Sequence, residues 1–296
     1  MAKIDRLQHA AYGILEHMKK GGSKLRSGGF TIVETMIVLG VTGLLFTLIL
    51  VTLSGRQART QFEQSIQEVK SQIQQTINDV ASGYYPNGGA FKCVPSSSGP
   101  QFNAGSTEQG ENAGCVFLGK VLQFKVAGTD PERFNVFSLA GLQRVASTGS
   151  EVTTYAEAMP KAIAPSTSDG SIPDVTEKKN LLYGLTVHSM TYGTSNTPIG
   201  AVGFVNSLAS YSGGNVVSGA QSVQMIPVTG TSLNSASDAT ATAINNNLAT
   251  GTLNPAGGVK LCFASGTTNQ SGLITIGGNE RQLSVTLSIK GNNTCS

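Results

Sequence analysis

Histidine is scarce in this chain: three in 296 residues, His9, His17 and His188. Two of them fall in a basic N-terminal stretch, which leaves His188 alone in the remainder. One imidazole cannot build a His-rich metal site or an HExxH zinc helix. A Ser-His-Asp triad would have to use His188, and no G-x-S-x-G elbow accompanies it. A surface or strand-edge histidine is the default reading of His188. Calcium-loop D-x-D-x-D spacing is missing as well. One stretch, Gly114 to Lys120 (GCVFLGK), has the outline of a phosphate loop. It lacks the following Ser or Thr and its interior is apolar, so it reads as a strand. No internal repeat is evident. These absences point away from catalysis, and no metal or cofactor is expected.

Charge is scarce too, at 12% of residues, and it is unevenly spread. The first 29 residues carry Lys3, Arg6, Lys19, Lys20, Lys24 and Arg26 against Asp5 and Glu16, a net +4. The other residues hold 14 basic and 15 acidic side chains, a net −1, so the basic pI belongs to the N-terminal stretch. Aromatic residues do not interleave with these charges, which argues against a nucleic-acid arm. The adjoining apolar segment accounts for them better. Phe30 to Leu53 (FTIVETMIVLGVTGLLFTLILVTL) contains one charged residue, Glu34. As a helix it would be about 36 Å long, enough to cross a hydrocarbon layer of about 30 Å with some tilt. Lys19, Lys20, Lys24 and Arg26 before it, against Arg56 and Arg59 after it, put the N-terminus in the cytoplasm. All four cysteines, Cys93, Cys115, Cys262 and Cys295, lie beyond the span, where disulfides persist.

The start of the apolar run is unusual. An ordinary secretory signal is cut after its apolar region, at small residues. Here the small residues, Ser27-Gly28-Gly29, come first. A cut between Gly29 and Phe30 would remove the basic stretch and leave the apolar helix as the new N-terminus. Glu34 then needs an account, because a carboxylate inside an apolar span costs up to about 2.5–3.5 kcal/mol at the bilayer centre, less near an end, and such residues usually have a partner. The new amino group of Phe30 lies within about one helical turn, and the equivalent amine of a neighbouring subunit would serve as well. The intermolecular pairing would also set axial register.

The string GGFTIVETMIVLGVTGLLFTLIL resembles the class III signal of type IV prepilins. That family has a basic leader ending in Gly, then Phe, a Glu at the fifth mature position, and some twenty apolar residues. The resemblance implies cleavage after Gly29 by a prepilin peptidase, N-methylation of Phe30, and an assembly role for Glu34. It departs from the family in its long leader and in having no proline within the span, where Gly40 and Gly43 supply a weaker point of melting. The implied partners are copies of itself or other pilins, the peptidase, the inner-membrane assembly platform, and the membrane before assembly. Nucleic acid would join them only in a DNA-uptake filament.

The helix is expected to continue past the span. Ala58, Phe62, Ile66, Val69, Ile73, Ile77 and Val80 recur at spacings of four and three, one apolar face, until Gly83 and Pro86 end it. Beyond lie Gly, Ser, Thr and Asn with short β-rich runs: 116–126, 134–139, 181–188, 199–205, 223–228, 259–264, 273–276 and 283–289. The polar stretches Ala146–Asn180 and Thr229–Gly257 read as surface excursions or disordered segments. The expected class is α+β, a long N-terminal helix packed on an antiparallel sheet. Its divisions are leader 1–29, span 30–53, amphipathic helix 54–82, and β-rich domain 83–296. Four cysteines allow three connectivities. Neighbours in sequence, Cys93 with Cys115 and Cys262 with Cys295, are preferred, the first closing the loop after the helix and the second tying down the C-terminal hairpin. The C-terminal run from Val259 also resembles, less specifically, the closing hairpin of minor pilins and pseudopilins. The expected function is a structural filament subunit, a major or minor pilin. The alternatives are a pseudopilin of a secretion or DNA-uptake system, a signal-anchored adhesin that never polymerises, and an anchored hydrolase using His188.

Overall fold

The computed structural model describes residues 31–83, 91–104, 114–124, 132–163, 177–208, 223–230, 241–248, 250–266, 268–277 and 283–291. The chain divides into two compact units, residues 1–54 and 55–296. One helix, α1 (Ile32–Ala81, 50 residues), runs through the boundary. No proline interrupts it, and its glycines at 40, 43 and 55 each cost only about 1 kcal/mol against alanine. It stops where Gly83 adopts φ +69°, the left-handed conformation that ends many helices. The Gly83 N–H bonds the Val80 carbonyl at 3.1 Å and the Ser82 N–H that of Asn78 at 2.9 Å.

In the first unit, the large apolar side chains of α1 from Ile32 to Leu50 are all exposed. In the second unit α1 is amphipathic, as its spacing requires. Phe62, Ile66, Val69, Ile73 and Val80 are buried, and Ile77 is partly buried against the same core. Ala58 is half-buried, and two polar residues, Ser65 and Thr76, join the buried face. Thr76 satisfies its hydroxyl on the Gln72 carbonyl at 2.9 Å.

The strands are antiparallel and form three sheets. A hairpin pairs β1 (Phe91–Ser96) with β2 (Gly99–Ala104). The larger sheet contains β3 (Cys115–Phe124), β4 (Arg133–Leu142), β5 (Lys161–Ala162), β6 (Glu177–Asn180), β9 (Ala201–Asn206) and β10 (Val223–Val228). Its order is β10-β9-β3-β4-β5, with β6 also on β4. The third is ordered β13-β12-β11-β7-β8, from β7 (Leu185–Tyr192), β8 (Thr197–Pro198), β11 (Val259–Ser265), β12 (Ser271–Gly277) and β13 (Ser284–Lys290). All eight strands anticipated from the alternation are present. They are divided between two sheets because the 181–188 run begins with a turn. Tyr183 and Gly184 have φ of 55° and 67°, so β7 starts only at Leu185 and belongs to a different sheet from β6.

The two larger sheets share a core with the α1 stripe. Leu122, Phe124, Phe134, Val136, Val202, Phe204 and Met225 come from one sheet, and Val187, Leu261, Phe263, Ile274 and Ile276 from the other. Phe124 stacks on Phe134 at 4.9 Å and meets Phe263 edge-on at 6.2 Å. The helix approaches β12 so closely that a Cβ on Gly272 would overlap Ile66. The opposite face of the β3–β4–β9–β10 sheet has its own core, with Val121, Leu139, Val205 and Ile226 beneath Tyr155, Ala158 and Ile244.

Those last residues correct the expectation for the long polar stretches. Both carry structure: α2 (Tyr155–Ala158), β5 and β6 in the first, α3 (Ala241–Asn247) in the second. α2 is held by a capping box in which the Thr154 hydroxyl accepts the Glu157 N–H. The Thr153 N–H and hydroxyl, with the Thr154 N–H, keep the Glu157 carboxyl below its ordinary range. The Tyr155 hydroxyl reaches the Asn206 carbonyl at 2.7 Å and Gln224 Oε1 at 2.9 Å. Single apolar anchors and local polar bonds, with no periodic stripe, order these segments.

Ile66 is fully buried at the closest helix–sheet approach. Ile66→Ala is expected to lower the unfolding free energy by about 2–5 kcal/mol, read from urea denaturation. Gln67→Ala, on the exposed side, should stay within about 0.5 kcal/mol.

Candidate functional site

The candidate site is the apolar span with its one carboxylate. Thr31 caps α1. Its carbonyl accepts the Glu34 N–H at 3.0 Å and the Thr35 N–H at 3.2 Å, and its hydroxyl accepts the Glu34 N–H at 3.3 Å. Threonine is a preferred residue here because its oxygen satisfies an N–H that has no intrahelical acceptor. Glu34 therefore lies in the first turn, where a negative charge gains roughly 0.3–1 kcal/mol from the helix dipole. No partner of its carboxylate is found among the described residues.

Every other polar side chain described in the span satisfies itself. The Thr35 hydroxyl donates to the Ile32 carbonyl at 2.8 Å, Thr42 to Val38 at 2.8 Å, and Thr47 to Leu44 at 2.8 Å. Such back-bonding lets a hydroxyl sit in an apolar medium without an orphan donor. The remaining surface is aliphatic on all sides. Met36, Leu39, Leu44 and Phe46 are 62–71% exposed, and no polar stripe separates them. Ile32–Leu50, 19 residues of mean hydropathy 2.2, is long and apolar enough to cross a membrane, and none of it is buried. This is the character of a signal or membrane anchor. Gly29 and Phe30 lie outside the described residues.

Beyond the span, the buried end of α1 is locked to β3. Lys120, 2% exposed, places its Nζ 2.9 Å from Asp79 Oδ2 and 3.5 Å from Glu177 Oε1. The Gly114–Lys120 stretch is thus the start of a strand whose lysine is committed to an internal ion pair. The Ser65 hydroxyl reaches from the helix to the Leu182 carbonyl at 2.7 Å. Neither tie was anticipated. Thr31 could have been found, since T-x-x-E is a capping signature. Ser65 and Lys120 sit among apolar neighbours with partners 117 and 41 residues away, separations that local patterns do not encode.

Cys93 and Cys115 form a disulfide with Cα atoms 6.2 Å apart, joining β1 to β3. Cys262 is also disulfide-bonded, while Cys295 lies outside the described residues. His188 is exposed on β7 at a bulge, opposite neither Cys262 nor Phe263 of β11. Among the described residues no group of three or more His, Cys, Asp or Glu side chains could hold a metal ion. No family model, curated protein or solved structure matches this chain.

The Cys93–Cys115 bond spans 22 residues of sequence, so removing it should cost about 3 kcal/mol in the chain-entropy model. The double variant Cys93→Ser/Cys115→Ser tests this by thermal or urea melting, and an unchanged midpoint would mean the bond adds nothing.

Proposed function

We propose that this chain is the precursor of a type IV pilin-like subunit, anchored by residues 30–53 and assembled into a filament through that helix. The observation that carries the proposal is Ile32–Leu50, apolar on every side with one carboxylate in its first turn. It directly follows the Gly29-Phe30 junction. A span that only crosses a bilayer has no use for Glu34 at this depth, whereas a span that leaves lipid to bundle with copies of itself uses it for pairing and register.

The reading assigns no catalytic role. A prepilin peptidase removes residues 1–29 and N-methylates Phe30. The N-terminus begins in the cytoplasm, with everything after Leu53 on the far side of the membrane. An assembly platform then moves the mature chain from lipid into the filament. The β-rich unit supplies the filament's outer surface, and the Cys93–Cys115 disulfide suits an oxidising exterior. A pseudopilin of a secretion or DNA-uptake system, matured at the same junction, is the alternative within this class.

Intact-mass and N-terminal analysis of protein from the native membrane or surface fraction tests the proposal. A chain beginning at methylated Phe30 is the expected result. An uncleaved chain in cells with an active peptidase would leave an anchored adhesin in its place. Glu34→Ala should be cleaved normally and should lower sheared filament about tenfold or more, the ratio given by about 1.4 kcal/mol per contact. Normal filament yield would remove Glu34 from assembly.

A further inference from the structure

Among the described residues of the 55–296 unit, Leu182 and Tyr183 are the most exposed large apolar side chains, at 46% and 55%. They sit on a turn that is both strained and rigidly held. Leu185 N–H bonds the Leu182 carbonyl at 3.1 Å, and φ is positive at both central residues, Tyr183 (55°) and Gly184 (67°). Turns of this hand favour Asn, Asp or Gly at the first central position. A bulky aromatic there is a genuine outlier, and strain of this kind persists where the surroundings enforce it.

The enforcement is visible. Ser65, 1% exposed on the helix, donates to the same Leu182 carbonyl at 2.7 Å. Gly266 N–H bonds the Gly184 carbonyl at 3.3 Å. Leu181 and Leu185 on either side are buried in the core. No hydrogen bond of the Tyr183 hydroxyl is found among the described residues, so nothing within the fold accounts for choosing tyrosine. The turn holds Tyr183 and Leu182 out into solvent, and tyrosine is among the residues enriched where interfaces are anchored.

We infer that the Leu182-Tyr183 turn docks on the apolar span, residues 32–50, of a second copy of this chain. The inference rests on the filament reading above. The span offers the largest exposed apolar surface among the described residues, with side chains 51–78% exposed and Glu34 as its sole charge. Once it leaves lipid, that surface needs protein cover. A protruding Leu-Tyr pair fits a surface that lacks charge and polar stripes.

The test uses the full-length chain with its assembly machinery. Tyr183→Asn suits the turn better than the native residue, so the detergent-solubilised protein should melt at the same temperature or higher. Cleavage should be unchanged and sheared filament should fall about tenfold; Tyr183→Phe should assemble like the native chain. A photo-crosslinking residue at position 183 should attach, within filaments, to a peptide from residues 32–50 of another copy. Wild-type filament yield from Tyr183→Asn, or crosslinks only to lipid or to other segments, would overturn the inference and leave the filament reading standing. If the native chain forms no filaments and retains residues 1–29, the filament reading itself falls, and this inference with it.

Discussion

The stripe from Phe62 to Val80 on α1 is the surface on which both large sheets are assembled. Each sheet contributes apolar residues to the same core as the helix stripe. This explains why the stripe is narrow and strictly periodic whereas the span before it is apolar all round. The same helix is patterned in two ways. Within residues 55–296 it must keep Gln, Glu and Lys on the side facing water. From Ile32 to Leu50 no water-facing side is provided.

An apolar stripe alone would let a helix slide by a turn on its sheets. Two contacts prevent this. Gly272 makes room for Ile66 and for little else; a one-turn shift would bring Phe62 or Lys70 to the same place. Lys120 is the one charged residue buried among the described residues, and it meets Asp79 at 2.9 Å. The same shift would offer it Gln75 or Gly83 and take away its nearer carboxylate, leaving Glu177 at 3.5 Å, and removing a partner from a buried ammonium is destabilising. Burying the pair costs desolvation that its attraction only partly offsets, so its larger effect is to select one register. The packing is specified by shape at one end of the stripe and by charge at the other.

Much of this was legible in the sequence because the signals are local and repeated. Seven positions at spacings of four and three located the buried face, and short β-rich runs located eight strands. What escaped lacked periodicity or depended on distant partners. β1 contains Pro95 and is followed by Ser-Ser-Gly-Pro, which reads as a loop, since proline weakens a strand assignment. α2 is a single capped turn, and α3 carries one buried anchor, Ile244, among asparagines. The cysteines are a partial exception: four allow three connectivities, but the preferred pairing of Cys93 with Cys115 is present, joining β1 to β3. Of the candidate site, the apolar span and Glu34 were evident from composition. The Thr31 cap was missed because the threonine looked like part of the apolar run.

That cap bears on how Glu34 would be neutralised in a filament. Because α1 begins at Ile32 with Thr31 as its cap, the helical i,i+4 neighbour of Glu34 is Val38, which offers no charge. The first-turn dipole contributes at most about 1 kcal/mol, and the cost of a carboxylate in a span, up to about 2.5–3.5 kcal/mol at the bilayer centre, is smaller at the end of the span where Glu34 lies. Thr35, Thr42 and Thr47 spend their hydroxyls on their own helix and donate nothing to Glu34. A carboxylate so placed gains most from a cation that another chain brings. On the proposed reading that cation is the amine freed at Phe30 of a neighbour, and the cut that creates it is therefore also what licenses assembly. An uncut precursor would lack the amine at that depth and would keep its basic leader in the cytoplasm, so cleavage and polymerisation are linked by one charge pair.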